Sequence, residues 1–200
     1  MRKRTIRTFL PLLAATVIGA AQAAEDPSGA ALAESCATCH GPTGVSEVPT
    51  IPTIAGYDQA YFVDDMLAYK AGDINSPLME TLAQRYSRDE LQAMAGFYAR
   101  HRYEPAPQEF DVERARRGET LHVEYCGICH MDGGSIEAAR EWSMPPLAGQ
   151  WKEYLRLAID AFSTGRRPMP DGKPPRVEAF LGEHGAEGVE DVLHYYASQQ

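Results

Sequence analysis

The sequence predicts an all-α fold built from two tandem copies of one helical domain. Apolar residues recur at spacings of three and four, and no stretch alternates as a β-strand does. One five-residue pattern of cysteine and histidine occurs twice, 90 residues apart. The segments that follow each copy also match one another in order, which indicates an internal duplication.

The matching segments lie at three equivalent places in the two halves. They pair Ile51–Gly56 with Met144–Gly149, the apolar stretch Tyr61–Gly72 with Tyr154–Gly165, and Phe97–Ala99 with Tyr195–Ala197. A duplication explains this order better than chance, so both halves are expected to share one fold.

The N-terminal 24 residues have the pattern of a secretory signal peptide. A basic start precedes a short apolar run, and Ala21-Gln22-Ala23 forms a small-x-small cleavage site, so cleavage is expected near Ala23. The apolar run is shorter than the roughly 20 residues that a membrane-spanning helix needs. The mature protein is therefore expected in the periplasm, without a membrane span.

The mature chain is predicted to divide at a proline-rich linker. Domain 1 is placed at residues 25–104, the linker at 105–110 and domain 2 at 111–200. A capping box at Ser87–Glu90 predicts the start of one helix. The other helices are predicted over Ala30–Cys39, Tyr57–Ala71, Val112–Cys126, Trp151–Phe162 and Val189–Ala197.

The formal charge of the chain is −9, and the signal segment carries four basic residues and no acid. The remainder has 15 basic and 28 acidic residues, a net charge of −13. Such a surface repels nucleic acid and anionic lipid, and it favours partners that present a basic or an apolar patch.

The repeated pattern is C-x-x-C-H, the attachment signature of a c-type haem. Its residues are Cys36, Cys39 and His40 in the first copy and Cys126, Cys129 and His130 in the second. Two thiols at this spacing can each form a thioether with one vinyl group of a single haem, and the adjacent histidine gives the iron its proximal nitrogen. All four cysteines of the chain fall in these motifs, which predicts two covalently attached haem c groups rather than disulfides.

Each iron needs a second axial ligand unless its site is open to substrate, and methionine sulfur is common in electron carriers. Met79 is the candidate in domain 1, while Met66 fits a core role. Met169 is the candidate in domain 2, because it follows His130 by 39 residues, as Met79 follows His40. The distance from the preceding glycine to the candidate methionine differs between the two halves. A vacant or non-methionine sixth position therefore remains an alternative in domain 2. Met144 fits a core role.

The other histidines are expected at the surface or at helix ends: His101, His122, His184 and His194. Pro52 and Pro145 follow the two motifs, and each is either a plain turn residue or the carbonyl acceptor of the proximal imidazole N–H.

With these residues assembled, the chain resembles the dihaem cytochromes c of the c4 type, and within them the cytochrome subunit of flavocytochrome c sulfide dehydrogenase. The stretches that carry the resemblance are Ile51–Gly56, Asp132–Ser135 and Ala148–Trp151. The resemblance implies two cytochrome c-like domains related by a pseudo-twofold axis, with the haems near their interface. The family tends to offer a second methionine beyond Met169, and this chain has none there.

The resemblance also implies a function. The expected role is that of an electron carrier, the haem subunit of a sulfide-oxidising oxidoreductase. It would receive electrons from an FAD-containing sulfide dehydrogenase flavoprotein and pass them to a downstream cytochrome or oxidase. The chain has no G-x-G-x-x-G segment after a strand, so the flavin would belong to the partner. The alternatives are a free c4-type carrier to a terminal oxidase and a dihaem enzyme whose second haem is open.

Overall fold

The computed structural model describes residues 28–168 and 174–200, and the part of the chain it describes is helical without a β-strand. The helices are α1 (Gly29–His40), α2 (Gln59–Ala71), α3 (Pro77–Ala83), α4 (Arg88–Ala99), α5 (Val112–Leu121), α6 (Ile136–Glu141), α7 (Lys152–Ser163) and α8 (Pro174–Ser198). A π-helical turn, His122–Cys126, continues α5, and a 3₁₀ turn occupies Asp132–Gly134.

Side-chain caps begin several of these helices where the sequence predicts a start. The Ser87 hydroxyl accepts from the Glu90 N–H while the Glu90 carboxylate accepts from the Ser87 N–H, so the predicted capping box is present. Asp58 caps α2 and Asp111 caps α5 in the same manner, each through one carboxylate oxygen.

Backbone hydrogen bonds confirm that the two halves share one fold. In the first half, the Gly44 carbonyl accepts from both Ile54 and Ala55 at 2.7 and 3.0 Å, and the Gly56 N–H donates to Tyr98. The second half repeats this arrangement with other residues: Gly134 accepts from Leu147 and Ala148, and Gly149 donates to Tyr196. The segments Ile51–Gly56 and Met144–Gly149, which match in sequence, therefore occupy equivalent places in the two halves.

Each half has its own hydrophobic core. In the first, α1, α2 and α4 meet around Leu91, Met94 and Tyr98, which are almost fully buried. In the second, α5, α7 and α8 meet around Leu193 and Tyr196. Met66 is buried, as predicted, and aromatic rings fill much of both cores: Tyr57, Phe62 and Tyr98 in the first, and Phe180, Tyr195 and Tyr196 in the second.

A glycine lets the first and last helices of each half cross closely. A Cβ atom at Gly29 would overlap the carbonyl oxygen of Ala93, and one at Gly118 would overlap that of Asp191. From this glycine to the first haem cysteine the chain takes seven residues in the first half and eight in the second. The extra residue is accommodated in the π-helical turn, where the Gly127 N–H donates to His122 at 2.7 Å.

Hydrogen bonds join the two halves at both buried and exposed positions. The Gln150 side chain accepts from the Thr53 N–H and donates to the Thr53 carbonyl, both at 3.0 Å. The Trp151 indole N–H donates to the Ser46 carbonyl at 2.9 Å, and the Asn75 N–H donates to Arg166 at 2.8 Å. The halves therefore pack through specific contacts.

The residues predicted as a linker are irregular but held in place. Ala106 is buried and its N–H donates to Gly149 at 2.7 Å. The Gln108 side chain donates to the Gln150 carbonyl and accepts from the Lys152 N–H. The segment thus packs along domain 2.

Three helical segments are absent from the sequence prediction. Helix α3 begins at Pro77, whose fixed φ suits a first helical position. Helix α6 is six residues long, too short for a periodic signal. The part of α8 before Val189 is rich in glycine, and the chain leaves helical geometry at Gly185, with φ 53° and ψ −147°.

Candidate haem sites

The first C-x-x-C-H motif lies at the C-terminal end of α1, which presents both cysteines from one helical turn. The His40 Nδ1–H donates to the Pro52 carbonyl at 2.8 Å, which assigns the proton to Nδ1 and leaves Nε2 with its lone pair for a metal. Burial lowers the pKa of His40, and the Pro52 hydrogen bond partly offsets this. Pro52 is therefore the carbonyl acceptor of the imidazole N–H, the second of the two roles considered for it.

Met79 lies in α3, half-buried, and packs against the same hydrophobic core as Cys36. Both residues thus face one interior of domain 1. This position is compatible with the predicted axial ligand, which stays a prediction.

The second motif follows the π-helical turn and opens onto a cavity of about 920 Å³. Cys126, Cys129 and His130 form one wall, and residues of domain 1, among them Tyr61 and Asp65, form another. The rest of the lining is mostly apolar, from α7, α8 and the 144–147 segment: Met144, Pro145, Pro146, Leu147, Leu155, Ala158, Ile159, Phe162, Phe180 and Val192.

A tyrosine near the end of each half shares the surroundings of the first cysteine of the motif. Tyr98 and Cys36 belong to one hydrophobic cluster, and Tyr196 and Cys126 line one cavity. The Tyr98 hydroxyl donates to the Ala33 carbonyl at 3.4 Å. Burial raises the pKa of both tyrosines, so both remain neutral donors at ordinary pH. Burial likewise raises the pKa of the Cys126 thiol.

His122 is buried, at 2% exposure, so of the two expected places, the surface and a helix end, it takes the second. It sits at the end of α5, where its Nδ1 lies 3.0 Å from the Tyr196 hydroxyl. Burial lowers the pKa of His122, more than the nearby Glu119 raises it. In the first half Ala33 holds the equivalent place when residues are counted from the crossing glycine, so this contact distinguishes the two sites.

The remaining histidines take part in other local contacts. His101 packs edge-on against the Phe97 ring, His184 hydrogen-bonds the Tyr125 hydroxyl, and His194 accepts from the Asp111 N–H at 2.7 Å.

Met169, the predicted axial ligand in domain 2, lies outside the described residues, as does the predicted signal peptide. The preceding residues Arg167 and Pro168 line the cavity beside His130, so the chain approaches the site there. Met144 also lines this cavity and is half-buried, so it is a wall residue rather than part of the buried core.

The residues present fit two haem c groups. All four cysteines are free thiols, each motif pairs two of them with a histidine, and the second motif borders an apolar cavity of the size that encloses a cofactor. His40 is oriented by the carbonyl that fixes a proximal ligand's tautomer. When bound, haem supplies one-electron chemistry at iron.

Comparison with known proteins agrees with this geometry. No family model matches the chain. A thiosulfate dehydrogenase electron acceptor of Stutzerimonas stutzeri (strain A1501) is 29% identical over 180 residues, 83% of this chain and 79% of that protein. Cytochrome c4 of Thiocapsa roseopersicina is 28% identical over 184 residues, 87% of this chain and 94% of that protein.

A solved structure gives the decisive match for the fold. Reduced recombinant cytochrome c4 from Pseudomonas stutzeri superposes with a TM-score of 0.72 at 21% identity, covering 86% of this chain and 97% of that one. The chain has the cytochrome c4 fold. It comprises two cytochrome c domains, and this dihaem cytochrome carries one covalently attached haem c at each motif.

The relatives named above are electron-carrier cytochromes. Within residues 28–168 and 174–200, no helix combines the length and the apolar character that a membrane crossing demands.

Proposed function

We propose that this dihaem cytochrome accepts electrons from a periplasmic dehydrogenase that oxidises an inorganic sulfur compound, and passes them to a downstream cytochrome or a terminal oxidase. The supporting observation is the arrangement of the second motif, which opens onto a cavity that is walled in part by domain 1. Two haem sites joined in this manner suit a protein that receives an electron at one site and releases it from the other.

Both irons are proposed to be six-coordinate, with His40 and Met79 on the first and His130 and Met169 on the second. A saturated iron exchanges electrons without binding substrate, whereas an open iron would favour catalysis. The optical band of the Met–Fe(III) bond near 695 nm, calibrated per haem, tests this ligation. Intensity for two haems is expected; replacing Met79 or Met169 with alanine should each remove half of it.

Thiosulfate dehydrogenase is the favoured electron donor, because a relative that spans most of this chain is named as the electron acceptor of that enzyme. The second candidate donor is a flavoprotein sulfide dehydrogenase, favoured by the resemblance of Ile51–Gly56 and Ala148–Trp151 to its cytochrome subunit. In both cases the donor meets an acidic protein, so a basic docking face is expected on the donor.

Rapid mixing separates the two donors. The oxidised holoprotein is mixed with thiosulfate dehydrogenase and thiosulfate, or with the flavoprotein and sulfide, and haem reduction is followed optically. Each substrate without enzyme serves as the control, because sulfide itself reduces haem. Fast reduction that requires the thiosulfate enzyme is expected; reduction by neither enzyme above the control would refute the proposal.

The periplasmic location rests on residues 1–24 and on the oxidising compartment in which haem is attached to C-x-x-C-H. N-terminal sequencing of the exported protein should begin near Ala24. A mature protein that keeps residues 1–23 would contradict this location.

A further inference from the structure

A largely buried ion pair crosses the interface between the two halves at the wall of the second haem cavity. Asp65 projects from α2, and Arg167 follows α7; their side chains are 22% and 13% exposed. The Arg167 guanidinium also donates to the Tyr61 hydroxyl at 3.2 Å and the Tyr69 hydroxyl at 3.5 Å. It lies over the Phe162 ring, 5.5 Å from its centroid, so a single cation is fixed from several sides.

Four acidic or basic side chains besides the iron ligand line the described part of this cavity: Asp64, Asp65, Arg167 and Arg176. Asp64 is exposed, and Arg176 is an exposed residue that donates to the Glu124 carbonyl at 2.9 Å. Solvent screens both of these charges. Asp65 and Arg167 are therefore the least solvent-screened of these four charges.

The surroundings of the pair act on its two members differently. Burial raises the pKa of Asp65, and the Arg167 guanidinium opposes that rise. Burial would lower the pKa of Arg167, but Asp65 and the neighbouring tyrosines raise it overall. The carboxylate thus has Arg167 as its main source of stabilisation, and removing either charge leaves the other inadequately compensated.

We propose that Asp65 keeps the reduction potential of the second haem low by neutralising the Arg167 cation at the cavity wall, so that domain 1 contributes a positioning residue to the second haem site. Reduction adds one negative charge to the haem centre. While Asp65 neutralises Arg167, the pair exerts little net attraction on that electron; without the carboxylate, the buried cation favours the reduced haem. The second haem site is therefore completed electrostatically by the first domain.

The size of the effect follows from Coulomb's law. In a medium of effective dielectric constant about 20, Coulomb's law gives about a tenfold change in a one-electron equilibrium for any unit charge about 12 Å from the redox centre, and a charge on the cavity wall is expected to act on this scale. For a one-electron couple a tenfold change corresponds to about 59 mV. The inference depends on the haem of domain 2 and is independent of which sulfur compound the donor oxidises.

The test compares Asp65→Asn with Asp64→Asn in the holoprotein by spectroelectrochemical titration. Both variants remove one negative charge from the same turn of α2, but Asp64 is exposed. NMR resonances of the haem methyl groups, assigned through contacts to the cavity residues Leu155 and Val192, identify the second haem. Asp65→Asn is expected to raise the potential of the second haem by an amount that corresponds to about a tenfold change in the one-electron equilibrium constant. Asp64→Asn is expected to change that constant by less than about twofold.

A third variant distinguishes charge from anchoring. Tyr61→Phe removes a hydroxyl that accepts from Arg167 and leaves the carboxylate in place, so a shift below about twofold is expected. The band near 695 nm and the far-UV circular dichroism should stay unchanged in all three variants. Equal shifts in the two aspartate variants, a larger shift at the first haem, a Tyr61→Phe shift as large as that of Asp65→Asn, or loss of the 695 nm band in Asp65→Asn would each overturn the inference.

Discussion

Truncation of Gln150 should destabilise the protein, because this side chain is the best-buried polar link between the two halves. It is fully buried, and Thr53 is 1% exposed. Its amide group satisfies both backbone groups of Thr53 at 3.0 Å and also donates to the Tyr57 hydroxyl at 3.4 Å. Gln150→Ala removes these partners and leaves a space behind.

The expected loss follows from the groups left unpaired. An unsatisfied buried donor or acceptor costs about 1–3 kcal/mol. Two such groups on Thr53 give about 2–6 kcal/mol, and water entering the space recovers part of this. We expect Gln150→Ala to lower the free energy of unfolding by about 2–4 kcal/mol, a large share of the stability of a small protein.

Urea unfolding of the holoprotein, followed by far-UV circular dichroism, measures this loss. Gln92→Ala is the matched control, since Gln92 is exposed on α4 and should change stability by less than about 0.5 kcal/mol. Gln150→Leu keeps most of the volume but none of the hydrogen bonds. If Gln150→Leu were as stable as the parent protein, the hydrogen bonds would not be the source of the stabilisation, and the reasoning would fail.

Two further predictions concern single positions in domain 2. Gly118→Ala should lower the free energy of unfolding by about 1–3 kcal/mol in the same assay, because the new Cβ would overlap the backbone of Asp191. In the control Gly182→Ala, the Cβ meets no atom within 4 Å, and the variant should stabilise α8 by about 0.5–1 kcal/mol. Equal effects of the two substitutions would contradict the close helix crossing. The Arg114 N–H lowers the pKa of Asp111, so its carboxylate stabilises the fold above the unfolded-state pKa and loses that effect as the pH falls through the lower folded-state value. The stability advantage of the parent protein over Asp111→Asn should therefore shrink between about pH 5 and pH 3 in thermal unfolding at constant ionic strength, and a constant difference would refute the assignment.

The features that could be predicted from the sequence are those whose chemistry is local. A C-x-x-C-H motif is recognisable from five consecutive residues, and the capping box at Ser87 and Glu90 from four. The duplication was also visible, because Ile51–Gly56 and Met144–Gly149 keep their order even where individual side chains differ. These signals were enough to predict two helical domains and two haems.

The features that could not be predicted depend on contacts between residues far apart in the chain. Asp65 and Arg167 are 102 positions apart, and no pattern links them before the fold is known. The role of Gln150 is likewise invisible in the sequence, since its partner Thr53 lies 97 residues earlier. The burial of His122 is of the same kind, because a histidine near a helix end gives no sign in the sequence of the tyrosine that lies beside it in the fold.

The π-helical turn makes the outer faces of the two haem attachment sites unequal. Its i→i+5 hydrogen bond from Gly127 to His122 places Ile128 one turn above Val123, and these side chains are 61% and 71% exposed. In α1 the equivalent exposed positions are Glu34 and Thr38. A redox partner docking over the second motif would displace water from apolar side chains and bind almost independently of salt, whereas docking over the first would weaken as ionic strength rises.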